Sequence, residues 1–184
     1  MSAQPFEQAV SVARGVLAGV SADQLDAATP CESWDVAALI NHILGGQHFF
    51  LASLNSTPPA EPPDVAAGDF VAAFDEVSSA CITAFRADGV LEQTFTLPFG
   101  EMSGAALMGL ATTDTFQHAW DLARATGQNT DLAPELASAL LAQSQASISE
   151  AFRGPEGAPF GAEQAAPAGA TAADQLAAFL GRAV

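Results

Sequence analysis

Asp114 and His118 stand four residues apart in the run Asp114-Thr115-Phe116-Gln117-His118-Ala119-Trp120-Asp121-Leu122-Ala123-Arg124. On a helix that spacing puts a carboxylate and an imidazole one turn apart on one face. The face is otherwise apolar, through Leu107, Leu110, Ala111 and Leu122. A carboxylate and an imidazole among apolar groups both need partners. A divalent metal satisfies both, because imidazole nitrogen and carboxylate oxygen are common ligands of zinc and its neighbours. A plain acid–histidine contact on a helix is the alternative.

The chain has three histidines. His42 falls in a second amphipathic stretch, with Gly45 and Gly46 at i+3 and i+4. Two glycines cost a helix roughly 1 kcal/mol each against alanine, and they strip cover from the imidazole. The space suits a metal or ligand, or close packing of a facing helix over a histidine bonded to a carbonyl. His42, Asp114 and His118 would together offer three ligands from two helices, with coordination positions left open for water or substrate. His48 lies six residues past His42, about 120° around a helix. It is read as a surface or core-edge residue.

Asp121 follows His118 by three residues, and Arg124 follows Asp121 by three. The pair Asp121–Arg124 reads as a surface salt bridge of little worth, or Asp121 supports His118 through its other ring nitrogen. Trp34 and Trp120 read as packing anchors. Cys31 precedes the start of the second helix, where the dipole favours a thiolate; it is either reactive or a small buried apolar residue. Cys81 fits a core stripe. No Gly-rich phosphate loop, paired CxxC knuckle or serine nucleophile elbow is present in the sequence.

The elements that would position these groups are helical. Phe6, Val10, Ala13, Val16 and Val20 give helix one. Ser33 reads as the N-cap of helix two, with Asp35 in its first turn, running to about residue 54. Residues 55–68, with four prolines, read as a loop. Asp69 to Ala87 reads as helix three, stopped by Gly89. Thr94–Leu97 alternates like a strand and is expected as an extended crossing segment without a sheet. Ser103 caps a helix from Gly104 to Thr126. Leu132 to Phe152 reads as helix five, with Pro134 in its first turn. Residues 154–170 read as irregular, and Thr171 to Arg182 as a short closing helix. The sum is an all-α bundle with one long crossover.

The chain's 184 residues suit one domain, and 49% of them are hydrophobic. Five basic residues, all arginine, face 21 acids, for a formal net charge of -16. No basic surface for nucleic acid or for an anionic membrane can be assembled from five arginines. No apolar run reaches the ~18 residues of a membrane span, and Met1-Ser2-Ala3-Gln4-Pro5 shows no secretory pattern. A cytoplasmic protein with two free thiols is expected.

Thr29-Pro30-Cys31-Glu32-Ser33-Trp34-Asp35-Val36, followed by Leu39-Ile40-Asn41-His42, resembles the opening of the mycothiol-dependent maleylpyruvate isomerase N-terminal, metal-binding domain family. His118-Ala119-Trp120-Asp121-Leu122-Ala123-Arg124-Ala125-Thr126-Gly127 resembles that family's second motif. Leu97-Pro98-Phe99-Gly100 and the stretch from Asp174 to Arg182 fit a small stand-alone actinobacterial branch. The resemblance implies a DinB-like four-helix bundle, a single domain over residues 1–184, and a divalent metal held by His42, Asp114 and His118. Zinc is the first expectation, with nickel or iron as alternatives, and mycothiol is the implied cosubstrate. The isomerase has Glu where this chain has Asp114, one methylene shorter. It also carries a C-terminal domain that this chain is expected to lack, which counts against the isomerase reaction itself.

Three readings follow. The first is a metal-dependent transferase or isomerase-like enzyme, in which the metal activates a low-molecular-weight thiol as a thiolate that attacks a small electrophile, with a homodimer as a further expectation. The second is a binding module that holds metal or thiol without turnover, as a stress or sensor protein. The third is a plain acidic helical protein.

Overall fold

The structure is a computed structural model, and it describes residues 2–31, 33–58, 68–154 and 158–184. Helix α1 spans Gln4–Leu17, with Pro5 in its first turn, where a missing N–H costs nothing. Its stripe of Phe6, Val10, Ala13 and Leu17 is buried. Helix α2 spans Val36–Asn55, helix α3 Phe70–Phe85 and helix α4 Gly104–Ala125. Each of these three starts on a side chain that accepts an N–H of the first turn: Asp35 from Ala38, Asp69 from Ala72 and Ser103 from Ala106. The cap of α2 is therefore Asp35 and not Ser33. Asp35 is the residue with extended backbone (φ −78°, ψ 177°) directly before the first helical turn.

Helix α1 packs on α3 and α4, and α2 packs on the same two. Helices α1 and α2 thus occupy opposite corners of a four-helix bundle, as do α3 and α4. The core between them contains Phe6, Leu17, Leu39, Ile40, Leu44, Phe74, Phe85 and Leu107. This is the all-α bundle expected from the periodicity.

The crossing from α3 to α4 departs from expectation. Thr94–Leu97 (β1) and Gly100–Ser103 (β2) pair antiparallel, with Thr94 opposite Ser103 and Leu97 opposite Gly100. The alternation of Thr94-Phe95-Thr96-Leu97 was legible, but its partner Gly100-Glu101-Met102-Ser103 has no β-branched residue to announce a strand. Phe95 and Leu97 turn into the core, which anchors the hairpin. Gly104 follows it where a Cβ would overlap the Val90 carbonyl, so only glycine lets α4 begin there.

Helix α5 spans Pro134–Ser147 and α6 spans Ala172–Phe179. Helix α5 is shorter than the expected 132–152. Ile148 turns extended (ψ 110°), and residues 150–152 form a separate short turn. Ser147-Ile148-Ser149 are poor helix formers, and that stops the helix. Helices α5 and α6 pack on each other and cover α4 through a second apolar cluster around Phe116, Trp120, Leu140 and Leu176. Asp174 pins α6 to α4: its carboxylate accepts the Trp120 indole N–H at 2.9 Å while it completes the capping box at Thr171. The loop expected over 55–68 lies, from residue 59 to 67, outside the described residues, as do 155–157 of the irregular stretch. No described helix is long and apolar enough to cross a membrane.

Candidate metal centre

His42 sits in the second turn of α2, and Asp114 and His118 in the middle of α4, where the two helices pack. The start of α2 is fixed by a folded-back loop. The Val36 and Ala37 N–H groups donate to the Ala27 and Leu25 carbonyls. The Thr29 hydroxyl donates to the Trp34 carbonyl and accepts the Cys31 N–H. That loop delivers Cys31 and Trp34 to the same place.

The three sequence-predicted residues come together. His42 Nε2 lies 3.7 Å from Asp114 Oδ1, and His118 Nε2 lies 3.6 Å from the same oxygen. The two imidazoles meet edge to face, with centroids 4.5 Å apart. Neither nitrogen is at hydrogen-bonding distance from the carboxylate. His42 Nε2 is buried and has no hydrogen-bond partner. Gly46 makes room for the arrangement, because a Cβ there would stand 3.1 Å from Asp114 Oδ2. His48 is half-buried and takes no part in the cluster.

Asp121 is fully buried, so it is not half of a surface pair with Arg124. The His118 Nδ1–H donates to Asp121 Oδ2 at 3.0 Å. In the neutral imidazole that a metal requires, this bond fixes the tautomer whose Nε2 faces Asp114 and is free to bind. Arg182 holds Asp121 side-on, Nε to Oδ1 at 3.1 Å and Nη2 to Oδ2 at 3.0 Å. Gln117 donates to Oδ1 at 3.2 Å. The Cys31 thiol donates to Oδ2 at 3.4 Å and lies 3.7 Å from Arg182 Nη2.

Burial opposes charge on Asp121, but His118 and Arg182 outweigh it and hold its carboxyl at about 2. Burial also opposes charge on His118, yet Asp121, Cys31 and Asp114 raise its imidazole to about 10. For Asp114 burial again opposes charge, and the two histidines with Arg182 lower its carboxyl below the usual range. Cys81 differs: burial pushes its thiol up to about 12, and it donates to the Gln47 carbonyl as a core residue.

The donor set fits a metal. One ligand atom from each of His42, Asp114 and His118 lies within 4.8 Å of the others. The edges of a zinc tetrahedron with N and O ligands are about 3.3 Å, close to the 3.6 and 3.7 Å found. Cys31, His118 and Asp121 also lie within that distance of one another. There, however, Asp121 is already saturated by Arg182, His118 and Gln117. The first trio has the bare nitrogen.

A cavity of about 710 Å³ opens on the cluster, lined in part by Cys31, Trp34, His42, Asp114, His118 and Arg182. The Trp34 ring lies 4.4 Å from that of His42. Trp34 is thus a wall of the site, whereas Trp120 is the packing anchor expected of both. Arg182 escaped the sequence reading. Gly181 (φ +97°) lets the chain turn after α6 and come within contact of Gly161, which carries Arg182 inward. The one available clue was an arginine near an apolar closing helix in a chain so poor in basic residues.

Fold and cluster together define a helical-bundle protein with two histidines and a carboxylate set between paired helices. The chain belongs to the mycothiol maleylpyruvate isomerase N-terminal domain family, which matches it over residues 6–123. Two Mycobacterium tuberculosis proteins, from strains CDC 1551 / Oshkosh and ATCC 25618 / H37Rv, are each 47% identical over 169 residues, 92% of this chain and 91% of the relative. Both are named as uncharacterised proteins. No solved structure matches the chain. The family match contains His42, Asp114, His118 and Asp121, while Arg182 lies beyond it.

Proposed function

We propose that the chain binds one divalent ion, zinc foremost, through His42, Asp114 and His118, and uses it to transfer the thiol mycothiol to a small electrophile. The observation that carries this reading is His42 Nε2: a buried nitrogen without a hydrogen-bond partner, facing the Asp114 carboxylate that His118 Nε2 also faces. When bound, the ion would lower the pKa of a coordinated thiol, so that a thiolate is present at neutral pH. The chain's own residues do the rest. Asp121 orients His118, and Arg182 holds Asp121 in place. Trp34 packs its ring against His42 as a wall of the cavity. In the transfer, the sulfur forms a bond to carbon, the thiol proton passes to solvent, and the displaced group leaves with the electron pair of the broken bond. Residues 1–184 act as one domain in this reading, since Arg182 closes the site from beyond α6.

The test is cobalt(II) loading of the full chain followed by addition of mycothiol. The expected result is one cobalt per chain and a new thiolate-to-cobalt absorption band. An electrophile such as 1-chloro-2,4-dinitrobenzene should then be consumed only when both metal and thiol are present. Failure to take up metal would overturn the reading. A thiolate band without turnover would replace transfer with a store or sensor of metal and thiol.

A further inference from the structure

His42 and Asp114 line two cavities, and among the described residues these cavities share nothing else. The second has a volume of about 380 Å³, within the range of small-molecule sites. Its walls are apolar and aromatic: Phe49, Phe50, Phe99 and Leu110. Gly45 and Gly46 leave its floor uncovered, down to the Asp114 carboxylate.

Phe99 is the informative residue. It sits in the two-residue turn between β1 and β2 and is 62% exposed, one of two large hydrophobic side chains so placed among the described residues. An exposed phenyl ring has no role in the core. Its ring stacks on that of Phe49 at an interplanar angle of 29°, with centroids 6.3 Å apart, and Phe49 meets Phe50 edge to face at 5.5 Å. The hairpin therefore holds a phenyl ring over an aromatic pocket instead of burying it. Among the described residues no arginine lines the pocket, and its titratable groups are His42 and Asp114. In a chain of net charge -16, such a pocket repels an anion and accepts a neutral ring.

We propose that this pocket is a second ligand site, which takes a neutral, flat, ring-bearing molecule and presents it to the His42–Asp114 pair. Resting on the metal–thiol reading, the occupant is the electrophile, approaching from one cavity while the thiol enters from the other.

The probe is N-phenyl-1-naphthylamine, a neutral aromatic dye that brightens in apolar surroundings, titrated into the metal-free full chain. One saturable site per chain is expected. Phe99→Ala should weaken it about tenfold or more, the equivalent of losing one buried ring's contribution. Phe152→Ala, which removes an exposed ring away from the pocket, should leave it unchanged. Absence of saturable binding, or equal affinity in Phe99→Ala and wild type, would overturn the pocket. Zinc content of the same variants separates the two readings. A chain that binds zinc but not the dye refutes the pocket alone; one that binds the dye but not zinc refutes the metal reading alone.

Discussion

Replacement of His118 by alanine is expected to leave the chain without stoichiometric metal. His118 is oriented by a second buried group, through the 3.0 Å bond to Asp121. Its removal leaves His42 and Asp114, two ligands on separate helices, which is too few to hold zinc against water. Elemental analysis of protein expressed in metal-supplemented medium should find about one ion per chain in the wild type and less than about a tenth of one in the variant. The double variant His42→Ala/His118→Ala should bind none. Asp121→Asn keeps all three ligands but loosens the aim of His118, so affinity should fall by about 10–100-fold without vanishing. Full metal content in dialysed His118→Ala protein would sink the assigned site.

The second large effect is on stability. Asp121→Ala leaves the Arg182 guanidinium and the His118 imidazole without their shared counter-charge, in surroundings that are mostly dry. Removing one partner of a buried ion pair costs about 3–5 kcal/mol, and that loss is expected in urea unfolding of metal-free protein. The sign of the pH dependence follows from the two shifts. Asp121 titrates lower when folded, at about 2, than unfolded, at about 3.9. Its contribution is therefore full above the unfolded value and is lost as pH falls through about 2. His118 titrates higher when folded, at about 10, than unfolded, at about 6.5. Its contribution is full below about 6.5 and is lost as pH rises through about 10. Metal-free wild type should thus lose stability at both ends, and Asp121→Ala should flatten both limbs. Equal steepness in the two proteins would show that Asp121 is not the hub of the network.

Much of this was written in local patterns. The spacing of Asp114 and His118 is a property of one helix, and so is legible from the sequence. Gly45 and Gly46 beside His42 announced a gap, and Gly46 does face the Asp114 carboxylate. The helices followed from apolar periodicity, and their ends moved where caps and turns decide. What stayed hidden depends on long-range pairing. Strand β2 has no strand character of its own and exists because β1 lies beside it. Asp121 was assigned two local roles, and one of them, support of His118, is what the geometry shows. Its principal ion-pair partner, Arg182, is 61 residues away, and no helical spacing points there. Trp34 reaches the site only because the loop before α2 folds back on Thr29.

The place of Arg182, just past the 8-residue helix α6, also orders events in time. It closes loops of 61 residues to Asp121 and 151 to Cys31. The entropic cost of such closures is like that of pairing α2 with α4, where His42 and Asp114 stand 72 residues apart, so the order is set by how firmly each segment is buried. Gly181 and Arg182 are only half-buried, whereas Phe116 is fully buried, so this segment is the first to open. Amides of Gly181 and Arg182, which donate to the Ala178 and Ala177 carbonyls, are expected to exchange with deuterium well before those around Phe116 in α4. Exchange at one common rate would mean that site and bundle form together. On the expected result, the fold has one clock and the site a slower one: a chain is folded before it is competent.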